Sequence, residues 1–172
     1  MKRASAKVRS KAAKIRLVLF DVDGVLTDGG ITIDDRGIES KRFDVRDGQG
    51  IVLLIRAGIT VGFLTSRRSR VVARRARELG VELVYQGVQD KGETYQQIKK
   101  KTGFTDGETA YVGDDLADLG VLRLAGFSVM VRDGWPGLAS AVDYVTRTGG
   151  GHGAVREVSE LILQSQGRLK AY

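Results

Sequence analysis

Short apolar runs alternate with amphipathic stretches along this chain, the pattern of a parallel sheet built from strand–helix–strand units. Leu17–Phe20 reads as a first buried strand and ends at Asp21. Gly48–Ala57 reads as a helix stopped by Gly58, and Ile59–Leu64 as a second strand ending at Thr65. Arg67–Leu79 carries Val72, Ala76 and Leu79 on one stripe with Gly80 just beyond, which predicts an amphipathic helix. Leu83–Tyr85 is a shorter strand, Lys91–Thr102 a polar helix before Gly103, and Thr109–Val112 a strand running into Gly113-Asp114. A helix near Leu116–Leu124, a strand over Phe127–Val131 and a short helix after Pro136 follow. A strand over Tyr144–Thr146 and an amphipathic helix over Ala154–Gln166 complete the series. The expected fold is α/β, three layers around a parallel sheet.

One segment breaks the alternation. Between Gly29 and Phe43, Ile31-Thr32-Ile33 alternates apolar and polar, Asp34-Asp35-Arg36-Gly37 signals a turn, and a second extended run follows. This predicts a β-hairpin inserted after the first strand. No other insertion is long enough for a lid domain, so the fold is expected to be capless. The 172 residues suit one compact domain, taken as residues 17–172, with a tail and helix over 149–172.

The formal charge of +7 changes the picture less than its size suggests. Lys2, Arg3, Lys7, Arg9, Lys11, Lys14 and Arg16 account for all of it, with no acid among residues 1–16, so residues 17–172 are neutral. Residues 1–16 read as a solvated, frayed basic tail, and no nucleic-acid partner is expected. There is no long apolar stretch for a signal peptide or a membrane span, so the expected location is cytoplasmic. The chain has no cysteine, which excludes disulfides, zinc–thiolate sites and thiol nucleophiles.

Candidate chemistry gathers at the strand ends, where open parallel sheets bind ligands. Asp21-Val22-Asp23-Gly24 leaves the first strand with two carboxylates two residues apart, and Gly24 frees the backbone for a sharp exit. An Asx turn would explain one of these acids but not the set. Gly113-Asp114-Asp115-Leu116-Ala117-Asp118 repeats the arrangement after a later strand. Helix capping is the alternative for Asp114 or Asp115. Two acidic strand ends facing one another repel unless a cation lies between them, and hard oxygen donors suit Mg2+. Thr65-Ser66-Arg67 and Lys91 add hydroxyl, backbone and ammonium groups suited to phosphate oxygens.

In this arrangement the sequence resembles haloacid-dehalogenase-type phosphatases: Asp-x-Asp-Gly, a Thr, a Lys and Gly-Asp-Asp-x-x-Asp stand at successive strand ends. Asp21–Gly29, Phe43–Gly48, Tyr85-Gln86-Gly87, Tyr111–Leu116 and Gly153–Glu157 are similar to the 3-deoxy-D-manno-octulosonate 8-phosphate phosphatase branch, and the likeness runs from Leu17 to Leu169. The resemblance implies a Rossmann-like, HAD-type fold and an Mg2+-dependent phosphatase acting on a phosphorylated sugar acid. By it, Asp21 is the nucleophile that becomes an aspartyl-phosphate, and Asp23 is the general acid and base. Asp21, the Asp23 main-chain carbonyl and Asp114 would hold Mg2+, with Asp115 or Asp118 outside them. Thr65 and Lys91 would hold phosphoryl oxygens.

The resemblance further implies a homotetramer in which the hairpin roofs a neighbouring subunit's site or lines the assembly. Asp44, Val45, Arg46, Asp47, Gly48, Arg67 and Arg75 would contact substrate, Arg67 and Arg75 from one row of a helix. Gly149–Gly151 would give flexibility to a mobile closing segment. The sequence departs from the branch at Val52, where an arginine is frequent, at Ser66, where glycine is usual, and at His152, which has no fixed counterpart. These departures leave a nonulosonate 9-phosphate or a broader set of sugar phosphates as alternative substrates. A receiver-type phospho-acceptor module is the non-enzyme alternative, which the acid at Asp23 argues against.

Overall fold

The computed structural model describes residues 4–169; Lys2, Arg3 and the last three positions of the expected C-terminal segment lie outside them. Six parallel strands form one sheet in the order β5-β4-β1-β6-β7-β8. They are β1 (Leu17–Phe20), β4 (Thr60–Thr65), β5 (Leu83–Gln86), β6 (Thr109–Gly113), β7 (Phe127–Met130) and β8 (Tyr144–Val145). The separate hairpin pairs β2 (Thr32–Ile33) with β3 (Glu39–Ser40). Every residue of β1 is buried, because the strand lies between β4 and β6 and carries helices on both faces.

Side chains alternate between two cores. Val18, Phe20, Phe63 and Val112 pack with Val8 and Ala12 of α1 (Ala6–Ala12), Ile51 and Leu54 of α2 (Val45–Arg56), Val72 and Ala76 of α3 (Arg70–Leu79) and Val155, Val158 and Ile162 of α6 (Ala154–Ser165). On the opposite face Leu17, Leu19, Leu64 and Tyr111 pack with Tyr95 and Ile98 of α4 (Lys91–Thr102) and Val121 and Leu122 of α5 (Leu119–Leu124). The result is the expected three-layer α/β fold with an inserted hairpin.

Several boundaries move, each for a visible reason. The helix expected from Arg67 begins at Arg70: the Ser69 hydroxyl caps it, and Thr65 and Arg67 use their carbonyls on Val88 and Gly87 across the loop. Arg67 and Arg75 therefore do not share a helix face. The helix expected from Gly48 begins at Val45, capped by the Asp44 side chain. Gly48 and Gly50 are tolerated inside it because neighbours approach closely: a Cβ on Gly50 would lie 3.0 Å from the Arg156 Cα.

The N-terminal segment corrects its expectation outright. Residues 6–12 are helical, not frayed; α1 packs against α6 and β7, burying Val8 and Ala12. Lys11 bonds Asp143 at 2.6 Å, so part of the basic run serves the fold. Among the described residues no helix is long and apolar enough to cross a membrane.

Candidate active site

The two acidic loops leave adjacent strands on the same side of the sheet. Asp21 follows β1 and Asp114 follows β6, and the parallel β1–β6 register brings their ends level. Carboxylate oxygens of Asp21, Asp114 and Asp118 all lie within 4.8 Å of one another. Lys91, first residue of α4, reaches in from below and bonds Asp21 Oδ2 at 2.8 Å and Asp118 Oδ1 at 2.6 Å. Thr65 is buried at the end of β4, the strand on the other side of β1.

Gly24 makes this geometry possible. Its φ of +86° is the left-handed conformation that favours glycine, and a Cβ there would lie 2.1 Å from Asp114 Oδ2. Thr27 fixes the loop from inside, its hydroxyl accepting from the amides of Gly24 and Gly29.

Charge is crowded. Burial, reinforced by Asp118 and only partly offset by Lys91, pushes the Asp21 carboxyl up to about 6. Asp114 is pushed up to about 8, by burial first and then by Asp21 and Asp118. Burial works against the Lys91 ammonium, yet Asp21 and Asp118 outweigh it and hold Lys91 above the ordinary lysine value. One ammonium is not enough for three carboxylates, and an all-oxygen donor set that titrates this high fits a hard divalent cation.

Asp118 is fully committed to its surroundings. Its Oδ1 accepts from Lys91 and from the Tyr111 hydroxyl at 2.5 Å, and its Oδ2 accepts from the amides of Asp114 and Asp115. Asp115 is exposed and caps the short turn that follows, bonding the Leu116 amide. Asp23 faces the hairpin: Lys41, just past β3, pairs with it, and the Arg67 Nε lies 3.6 Å from its other oxygen. Glu39 accepts from Arg67 at 2.9 Å and lies 3.4 Å from Lys41, completing a four-residue network.

The expected substrate contacts do not form one group. Phe43, Asp44, Asp47, Gly48 and Arg75 border a small hollow, with Arg75 stacked 5.8 Å from the Phe43 ring. Arg46 forks onto Asp44 and reaches the His152 carbonyl at 3.1 Å. Val45 is 77% exposed. Asp47 is buried and accepts from the amides of Gly153 and Arg156, so its carboxylate caps α6. Arg67 stands apart, at Asp23.

The glycine run is not a loose segment. Gly149, Gly150 and Gly151 are buried, and a Cβ on Gly150 would sit 1.7 Å from the Gly24 carbonyl. The amide of Gly151 bonds Val25 O at 3.0 Å. These glycines serve close approach to the Asp21 loop, which corrects the expectation that they supply mobility.

Lys41, Glu39, Tyr111 and Asp133 escaped the sequence reading. Lys41 is the single lysine of the hairpin segment, and its side chain is only 1% exposed. Tyr111 looked like strand core, and its hydroxyl at Asp118 was unforeseen.

Residues 80–157 match the haloacid dehalogenase-like hydrolase family. Over 165 residues the chain is 45% identical to the 3-deoxy-D-manno-octulosonate 8-phosphate phosphatase KdsC of Escherichia coli strain K12, covering 96% of this chain and 88% of that protein. The chain belongs to the 3-deoxy-D-manno-octulosonate 8-phosphate phosphatase family. The Yersinia pestis member of this family superposes with a TM-score of 0.94 at 44% identity, over 95% of this chain and 89% of that one. The Moraxella catarrhalis member, solved with magnesium ion, phosphate ion and KDO, superposes with a TM-score of 0.92 at 43% identity, over 94% of this chain and 92% of that one. Family membership makes this protein a HAD-type phosphoric monoester hydrolase.

Proposed function

We propose that the protein hydrolyses 3-deoxy-D-manno-octulosonate 8-phosphate with Mg2+, through a phospho-enzyme formed on Asp21. The observation that carries this reading is the convergence of Asp21, Asp114 and Asp118 within 4.8 Å beside the Lys91 ammonium. The E. coli relative named for this activity and the M. catarrhalis relative solved with magnesium, phosphate and KDO support the substrate and the metal.

The Asp21 carboxylate, the Asp23 main-chain carbonyl and Asp114 would hold Mg2+, with Asp118, and Asp115 beside it, in support. When bound, the ion supplies positive charge that offsets repulsion between a phosphate dianion and the carboxylates. Asp21 is already oriented: the Val22 amide bonds its Oδ1 at 2.7 Å and Lys91 its Oδ2 at 2.8 Å. In the first step an Asp21 oxygen bonds to phosphorus as the phosphorus–sugar oxygen bond breaks, and Asp23 gives its proton to the departing oxygen. In the second, Asp23 takes a proton from water as that water attacks phosphorus and frees Asp21. Lys91 and the Thr65 hydroxyl bind phosphoryl oxygens during both. Arg67, exposed beside Asp23, and Arg46 and Arg75 further along the rim are the cations offered to the sugar carboxylate.

Ile31, Ile33 and Ile38 are exposed on the hairpin. We read them as subunit contacts of a homotetramer in the cytoplasm, a state that light scattering on the purified protein tests. The activity is tested by phosphate release from octulosonate 8-phosphate and nonulosonate 9-phosphates, with Mg2+ and with EDTA. Preference for the octulosonate, lost in EDTA, is the expected result; preference for a nonulosonate would move the substrate, and turnover in EDTA would overturn the metal.

A further inference from the structure

The loop after β7 touches the Asp114 loop directly and reaches the Asp21 loop through the glycines at 149–151, although none of its residues belongs to the proposed catalytic set. Trp135 donates its amide to the Asp114 carbonyl at 2.7 Å. Gly134 passes so close that a Cβ there would lie 2.9 Å from the same carbonyl. Two residues before Trp135, the Asp133 carboxylate accepts the Gly150 amide at 2.9 Å. Gly150 lies against the Gly24 carbonyl, and Gly151 bonds Val25. The two loops that present Asp21 and Asp114 are thus joined twice: directly, where Gly24 meets the Asp114 carboxylate, and around the outside, through Trp135, Asp133 and the glycines.

We propose that Asp133 is a positioning residue, which sets the separation of the Asp21 and Asp114 loops and thereby the affinity of the site for a divalent cation. The proposal rests on the reading that Asp21 and Asp114 hold Mg2+. Backbone at Gly149–Gly151 is held on the Asp21 loop from two sides, by the Gly151–Val25 hydrogen bond in front and by Asp133 behind. The His152 ring bonds the Gly150 carbonyl at 2.7 Å from within the same segment, whereas the Asp133 carboxylate reaches the segment from another loop and uses both oxygens: Oδ1 on the Gly150 amide, Oδ2 filling the space where a Cβ on Gly149 would fall, 2.3 Å away. The opposite end of the same short loop is tied to the Asp114 carbonyl. A change in Asp133 is therefore transmitted to both metal-bearing loops, while the phosphate-binding groups Thr65 and Lys91 stand on other elements.

The test uses Mg2+ itself as probe, followed by isothermal titration and by emission of Trp135, the one tryptophan in the chain. Asp133→Ala should weaken Mg2+ binding by about tenfold, the range seen when partners behind metal ligands are removed, and lower kcat with little change in KM at saturating Mg2+. Asp133→Asn keeps an acceptor oxygen for the Gly150 amide and should recover most of the affinity. Gly150→Ala, which pushes the strap off Gly24, should reproduce the Asp133→Ala loss. Asp114→Asn serves as the reference for the underlying reading and should abolish binding. Wild-type Mg2+ affinity in folded Asp133→Ala, with binding lost in Asp114→Asn, would overturn the positioning role alone. Undiminished binding in Asp114→Asn would instead overturn the metal reading. Should Asp133→Ala fail to fold, an Asp133→Asn variant as weak as Gly150→Ala would count against the hydrogen bond as the operative contact.

Discussion

Gly24 and Asp114 occupy space that only one side chain can fill: the carboxylate of Asp114 lies where a Cβ on Gly24 would be, 2.1 Å from its Oδ2. Gly24→Ala therefore meets two penalties, the left-handed φ, about 1–2 kcal/mol, and the displacement of a metal ligand. The expected outcome is a folded protein whose Mg2+ affinity and kcat both fall at least about tenfold. Calorimetric titration with parallel kinetics checks it, and near-wild-type values in both would show that the close approach is dispensable.

Asp21→Asn is nearly isosteric but removes the nucleophile. Turnover is expected to fall by about 10^4 or more, the scale of losses when a covalent catalyst loses its attacking group, while circular dichroism stays native. Substantial residual phosphate release would argue for direct attack by water.

Lys91→Met leaves the buried Asp21 and Asp118 carboxylates without their ammonium. Removing one member of a buried charged set costs about 3–5 kcal/mol, read as a lower midpoint in urea. Mg2+ should restore part of that loss but not kcat, since a phosphoryl-oxygen donor has gone. Equal urea midpoints for variant and wild type in EDTA would contradict this account.

Without metal, stability should decline as pH rises. Folded values of about 6 for Asp21 and about 8 for Asp114 lie above the ordinary aspartate value of 3.8. Between about pH 4 and 8 the folded state thus holds protons that the unfolded chain has released, and stability falls with rising pH across that window. Mg2+ replaces those protons, so its binding should release protons and tighten with pH over the same range. Thermal melts in EDTA and in Mg2+ across pH 5 to 8.5 provide the comparison; parallel curves would contradict the shared site.

The elements most legible in the sequence carry their own ends. The helix Lys91–Thr102 was bounded correctly because Asp90 caps its start and Gly103 takes the left-handed conformation at its close, both local signals. The strand-end acids were legible because buried apolar runs stop abruptly at charge. What stayed hidden depends on distant partners. Arg67 seemed helical from its neighbours, but its carbonyl is taken by Gly87 across the loop. Asp47 seemed a substrate contact until its carboxylate met the start of α6, more than a hundred positions along the chain. The glycines at 149–151 suggested freedom because composition alone cannot separate a backbone that moves from one that is pressed against another.

The docking of α1 has a practical consequence. Lys11 grips Asp143, which also accepts from the Ser128 amide and hydroxyl in the strand beside β8. Gln166, just past α6, bonds the Ile15 carbonyl at the other end of the same segment. An expression boundary set at Leu17, natural for anyone who trims basic leaders, would unlatch the outer strands and uncover the faces of α6 and β7 on which α1 packs. Purification handles are better placed upstream of an intact Ala6–Ala12.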